Sequence, residues 1–376
     1  MCAPARDQYL VKSVVHASRA LAAFRNSGEV LALREITSRS GLSRAMVFRL
    51  MYTLQRCGVI KKVGENLYRS NVRPFRHKPY RLGYASQGAD DQFAKEIAVG
   101  LERAAAVAGL KMIVVGNRPT SRISQRSVDV LVKEKVDLAI ELQTDEQAAP
   151  IIAEKYREAN IPFIAVGVPH PGGTYFGADN LEAGLVGGQC LGRWARRHWP
   201  AGTDEIVLIQ SANVGSALGS RCTGMLAGMT DVFPQLAECR VKYLHTDGTL
   251  GESLQAMRRH LRSRHSRRML IGAINDASAV GALRACQEAG RAEFCAVVGQ
   301  NASPEARAEL REPSTRLIGS VAYFPETYGE QIISVALDIL HRRPVPPAVF
   351  VKHRLVTPRN INHIYPNDGL LAIARG

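Results

Sequence analysis

The sequence predicts an α/β protein: a two-lobed core of parallel sheets flanked by helices, preceded by a small winged helix-turn-helix. Three observations carry the prediction. Leu33 to Arg69 (LREITSRSGLSRAMVFRLMYTLQRCGVIKKVGENLYR) reads as a helix, a tight Gly-containing turn, a second helix and a short basic hairpin. From Tyr80 onward, short apolar runs alternate with amphipathic helical stretches. The charge is also unevenly placed: residues 1–81 hold sixteen Lys/Arg against four Asp/Glu, so they carry +12 of the net +15. A polyanion is the simplest partner for that asymmetry.

In chain order, Val11 to Phe24 forms the first expected helix. Val11, Val14/Val15, Leu21 and Phe24 lie on its apolar stripe, and Ala17 and Ala20 are small packing positions. Asn26-Ser27-Gly28 ends it. The second helix, about Arg34 to Arg39, packs through Ile36, and Gly41 supplies the backbone freedom of a sharp helix-helix turn. Ser43 caps the third helix, Arg44 to Arg56. There Val47, Leu50, Met51 and Leu54 form the buried stripe, which leaves Arg44, Ala45, Phe48, Arg49, Tyr52 and Gln55 off it. The N-terminal turns of such a helix enter the major groove. Arginine grips guanine edges or phosphates there, and small or apolar side chains touch thymine methyls. Beyond Gly58, Val59–Val63 and Leu67–Arg69 pair about Gly64-Glu65-Asn66, with Lys61 and Lys62 suited to phosphates. The candidate DNA contacts are therefore Ser43, Arg44, Ala45, Phe48, Arg49, Lys61 and Lys62, and the partner is a double-stranded DNA operator.

Lys12-Ser13-Val14, Arg19-Ala20-Leu21, Gly41-Leu42-Ser43, Val47-Phe48-Arg49-Leu50 and Tyr68-Arg69 resemble the winged helix-turn-helix of the isocitrate-lyase-regulator (IclR) type. The resemblance covers about residues 9–70. A winged helix used only for protein contacts is the competing reading, and the local charge speaks against it. Residues 71–79 contain two prolines and several cations, and read as an extended tether.

The core begins at Tyr80. Strands are expected at Tyr80–Ala85, Lys111–Gly116, Leu138–Glu141, Phe163–Val166, Ile206–Gln210, Val241–Leu244, Met269–Ala273, Ala296–Gly299 and Leu317–Ala322. Nine strands exceed one comfortable sheet, so two lobes are expected, with ligands beyond the carboxyl ends of the strands. Tyr80-Arg81-Leu82-Gly83-Tyr84-Ala85, Asn160-Ile161-Pro162, Ala178-Asp179-Asn180, Arg221-Cys222-Thr223-Gly224, Asn275-Asp276, Val298-Gly299 and Leu355-Val356-Thr357 keep the motif order of the ribose-binding, periplasmic-binding-protein family. Its core also serves the lactose-repressor family. The resemblance spans 80–366 and implies a type I two-lobed fold. Lobe 1 would hold about 80–178 and 324–349, lobe 2 about 179–323 and 350–366, with a tail at 367–376.

It also implies a cleft that closes on a small ligand, commonly a sugar. The candidate ligand residues are Gln87, Asp91, Phe93, His170, Arg221, Asn275, Asp276, Gln300, Asn301 and Tyr323. Planar polar groups suit vicinal hydroxyls, and an aromatic face stacks on a sugar ring. Three of these have structural alternatives: a helix cap for Asp276, an inter-helix salt bridge for Arg221 and core packing for Phe93. Gly167-Val168 stands where the family often has Asp-Arg, and Gln300-Asn301 stands where an aspartate follows Val-Val-Gly. Two carboxylates are thus missing while Arg221 remains, so the expected effector is a sugar, polyol, sugar acid or sugar phosphate.

Other signals are negative. Met1 to Lys12 has no apolar secretory stretch and no run reaches a membrane span, so a cytoplasmic location is expected. The seven cysteines are scattered and expected to stay reduced. No nucleophile elbow, HExxH or P-loop is present, so neither an enzyme, a cofactor nor a metal is expected. The Gly184, Gly187, Gly188 series is read as close helix packing, and Arg258–Arg268 as a solvated face. Together these features imply a homodimeric transcription regulator controlled by a small molecule. The alternative is the solute-binding component of a sugar ABC transporter, which would need export and leaves the helix-turn-helix unexplained.

Overall fold

Helix α3 (Arg44–Arg56) shows how the N-terminal unit is built. Val47 and Met51, one turn apart, are fully buried, while the opposite side of the helix is in solvent. Ser43 caps it by accepting from Met46 N, and Gly41 turns the chain into it at φ +66°. The computed structural model describes residues 11–24, 28–71, 79–87, 92–117, 121–143, 145–211, 215–263 and 268–368. The chain divides into two units, 1–79 and 80–376.

In the first unit α1 (Lys12–Ala22), β1 (Val30–Ala32), α2 (Leu33–Ser40) and α3 are followed by β2 (Ile60–Gly64) and β3 (Leu67–Ser70). The antiparallel sheet runs β1-β3-β2, so the wing carries a third strand that the sequence reading did not include. Glu35 locks the entry to α2 by accepting from Ala32 N at 2.8 Å. The core joins Ala20, Phe24, Leu31, Ile36, Val47, Met51, Ile60 and Tyr68. One expectation is corrected here. Val11 and Val14 are 59% and 63% exposed, because α1 turns the Ala20, Ala23 and Phe24 side inward.

The second unit contains β4 (Arg81–Gln87), α4 (Gln92–Val107), β5 (Lys111–Asn117), α5 (Ser121–Lys133), β6 (Leu138–Leu142), α6 (Ala149–Glu158), β7 (Phe163–Val166), β8 (Thr174–Gly177) and α7 (Asn180–His198). Next come β9 (Glu205–Ser211), α8 (Ser216–Val232), β10 (Arg240–Thr246), α9 (Leu250–Ser263), β11 (Met269–Ala273), α10 (Asp276–Glu288), β12 (Cys295–Asn301), α11 (Pro304–Leu310) and β13 (Leu317–Ala322). The chain ends on α12 (Tyr328–Leu340), β14 (Ala348–Phe350), β15 (Arg354–Val356) and α13 (Ile361–Ile364).

Two six-stranded sheets result, one per lobe. The first, β14-β8-β7-β6-β4-β5, is parallel throughout. The second, β10-β9-β11-β12-β13-β15, is parallel except for β15, which runs antiparallel to β13. Central strands such as β6, β7 and β11 are buried at every position, as helices on both faces require. The chain passes between lobes three times: at 178–179, at 323–327 and at 351–353.

Helices α7 and α8 cross in backbone contact. A Cβ at Gly184 or Gly188 would collide with the carbonyl of Arg221 or Met225, and one at Gly224 or Gly228 with that of Leu181 or Leu185. The glycine series is therefore a packing device, and it brings the first turn of α7 against the side chain of Arg221.

Candidate functional site

The cleft between the lobes has a volume of about 1610 Å³ and lies at the carboxyl ends of both sets of strands. Its floor centres on Arg221, which lies in the second turn of α8. Arg221 Nε donates to Asn180 Oδ1 and Nη1 to the Ile274 carbonyl, each at 2.8 Å. Its guanidinium carbon sits 4.9 Å from the centroid of the Tyr323 ring. Nη2 has no hydrogen-bond partner among the described residues, which leaves the outer edge of the fork for a ligand.

Tyr323 lines the cleft from the second crossing and is 1% exposed. Burial pushes its phenol up to about 12 against the pull of Arg221, and its hydroxyl donates to Gln300 Oε1. Phe93 lines the lobe 1 wall with its ring at 5.7 Å, edge-on to Tyr328.

Asn275 and Asp276 both line the cleft, yet their polar atoms are already engaged. Asn275 caps α10: Oδ1 accepts from Ser278 N at 2.8 Å and Nδ2 donates to the Gly248 carbonyl at 2.9 Å. The capping role weighed for Asp276 thus falls to its neighbour. Asp276, 1% exposed, accepts from Ser303 N and from Ser320 Oγ, each at 2.6 Å. Burial raises its carboxyl to about 7, against the lowering effect of those bonds. Asn301 lines the cleft at φ +102°, a backbone conformation that costs a non-glycine residue energy.

Two expected ligand residues do not line the cleft. Gln300 is fully buried beneath Tyr323, and its amide nitrogen donates to the Ala183 carbonyl. His170 is 5% exposed, bonded through Nδ1 to the Val168 carbonyl at 2.8 Å and edge-on to Phe163. Burial holds its imidazole below the ordinary range. It braces the loop after β7. Asp91 and the side chain of Gln87 lie outside the described residues.

The sequence reading also missed residues that follow strand ends: Asp145 and Glu146 after β6, Asp247 and Thr249 after β10, and Ser303 and Arg307 after β12. Their position was the available signal. Ser216 Oγ donates to Glu146 Oε1 at 3.0 Å, a direct bond across the cleft from lobe 2 to lobe 1.

In the N-terminal unit, Arg44, Ala45, Arg49, Lys61 and Lys62 are exposed, and Phe48 is 53% exposed. Ser43 spends its hydroxyl on the cap. Among the described residues, Arg39 pairs with Glu29 at 2.7 Å, whereas Arg44, Arg49, Lys61 and Lys62 have no acidic partner. No group of three or more His, Cys, Asp or Glu among the described residues could hold a metal, and no helix there is long and apolar enough to cross a membrane.

Residues 82–343 match the periplasmic binding protein domain, and the chain belongs to that family. Residues 13–64 match the IclR helix-turn-helix domain, so the chain joins the two. The ribose import binding protein of Bacillus subtilis (strain 168) is 23% identical over 289 residues, which cover 75% of this chain and 88% of that protein. An ABC transporter periplasmic solute binding protein from Actinobacillus succinogenes 130z, solved with D-allose, is 18% identical at a TM-score of 0.65. That match covers 76% of this chain and 99% of the other. A solute binding protein from Agrobacterium vitis, solved with allitol, is also 18% identical at a TM-score of 0.67, with 77% and 99% covered. These structures share the fold. Both matched families are of regulator and solute-binding type, and neither is catalytic.

Proposed function

We propose that this protein is a cytoplasmic, homodimeric transcription regulator whose operator affinity is set by a small molecule bound between its lobes. The single observation that carries this reading is the union in one chain of two sites. One is a recognition helix whose Arg44 and Arg49 have no ion-pair partner among the described residues; the other is a cleft floored by Arg221, whose Nη2 has no hydrogen-bond partner among them. Effector binding changes lobe closure, which changes the spacing of two DNA-binding units in a dimer.

The effector is a sugar or a sugar derivative. The similarity to proteins named for ribose or solved with D-allose and allitol supports that class. Arg221, Tyr323, Phe93 and Asn301 are its contacts, while Asn275 and Asp276 shape the wall. Gly167 and Asn301, where the family often has carboxylates, extend the class to sugar acids and sugar phosphates. The test is fluorescence anisotropy of a selected duplex with and without a panel of pentoses, polyols, aldonic acids and sugar phosphates. One or more compounds should change duplex affinity at least about fivefold, a coupling of about 1 kcal/mol. Duplex binding that no compound alters would refute the switch.

The similarity to an import binding protein favours a second reading, transport of a solute. It requires an exported chain with no affinity for duplex DNA, so salt-dependent duplex binding separates the two.

A further inference from the structure

On the solvent side of α3, Ala45, Phe48 and Tyr52 stand at i, i+3 and i+7, a spacing that places them on one face. Phe48 is 53% and Tyr52 61% exposed, whereas Phe24 and Tyr68 of the same unit are buried. Two neighbouring aromatics left in water mark a contact surface. Arg49 and Arg56, two turns apart, flank this ridge on one side and Arg44 on the other, and α3 has no acidic residue. Among the described residues none of the three arginines has an ion-pair partner.

A cationic frame around an apolar ridge matches one surface closely. The major groove has phosphates along its rim, and the thymine C5-methyl is the apolar group that base pairs present on its floor. A second copy of the same helix fits poorly, because it would bring unpaired arginines together.

We infer that Phe48 and Tyr52 read thymine methyl groups in the major groove, with Arg44, Arg49 and Arg56 on adjacent guanine edges or phosphates. The inference rests on the DNA-binding reading above and adds to it the base type that α3 contacts. It makes Tyr52 a specificity-determining residue that the helix-turn-helix pattern alone does not mark.

The test begins with the full-length chain selecting duplexes from a randomised library. The enriched duplex is then resynthesised with deoxyuridine in place of each thymine in turn, which removes one methyl and nothing else. At one or two thymines per half-site, affinity should fall about fourfold for each methyl lost. Phe48→Ala should weaken binding to the thymine duplex and add no further loss on the corresponding uridine duplex. If every uridine duplex binds like its parent, the ridge does not read methyls. Equal losses for Phe48→Ala on both duplexes overturn the inference as well, as does a change in self-association with DNA affinity intact. If no duplex is enriched and no salt-dependent binding is found, the DNA-binding reading itself falls first.

Discussion

Arg221 reaches 2.8 Å from Asn180, and those two residues belong to helices whose backbones touch through Gly184, Gly188, Gly224 and Gly228. The glycines set the helix separation, and the separation sets the direction of the guanidinium. Replacing Arg221 with Lys keeps the charge and loses the planar fork. We expect a loss of about tenfold or more in affinity for whichever panel compound binds, read by calorimetry. Wild-type affinity in R221K would remove Arg221 as the anchor.

The helix contact itself is testable without a ligand. Gly188→Ala should destabilise the second unit by about 1–3 kcal/mol, because a Cβ there meets backbone that has no free space to yield. Gly219→Ala in the same helix pair meets nothing within 4 Å and should be neutral or stabilising by about 0.5–1 kcal/mol. Urea unfolding of both variants measures the contrast, and equal midpoints would contradict it.

Asp276 gives a pH dependence with a definite sign. Its carboxyl titrates at about 7 when folded and near 3.8 when unfolded. Between those values the folded chain holds a proton that the unfolded chain releases. Its contribution to stability is therefore full below about pH 4, is lost as pH rises towards 7, and is flat above. The span is on the order of 4 kcal/mol. Asp276→Asn should flatten this part of the profile in denaturant titrations from pH 4 to 8. A mutant that keeps the wild-type slope would place the titration elsewhere.

The bond from Ser216 to Glu146 ties the two lobes directly. Ser216→Ala should favour the open form and weaken effector binding by about fivefold, the worth of one ordinary hydrogen bond. Small-angle scattering should show a larger radius of gyration for the mutant. An unchanged radius together with unchanged affinity would make the bond incidental.

Lys61 and Lys62 are exposed residues of β2. Replacing either with Ala should lower duplex affinity alike for all sequences and reduce the salt slope by about one. A change confined to one operator sequence would instead assign base reading to the wing.

The architecture was legible where single elements carry their own signal. Strands β7, β11 and β13 are runs of apolar residues that meet helices on both faces, and their limits follow directly from the pattern. Strands β1, β8, β14 and β15 are three or four residues long and exist through pairing with distant partners, so local composition does not reveal them. The cleft was harder to read. A glutamine in a buried strand looks like a ligand contact, but Gln300 is satisfied by the hydroxyl of Tyr323, a partner 23 residues away. Conversely, Asn180 reads as an ordinary residue at the start of a helix. Its role in aiming Arg221 depends on a contact 41 residues along the chain.

The three passages between lobes meet around His353. Its ring lies 5.5 Å from that of Tyr323 in the second passage, and its Nδ1 lies 3.8 Å from Glu182, three residues beyond the first. Short segments packed side by side are where a two-lobed fold absorbs closure, so in the proposed switch these three would carry the rotation of one lobe against the other. Occupancy of the cleft would then be read out as a single angular coordinate.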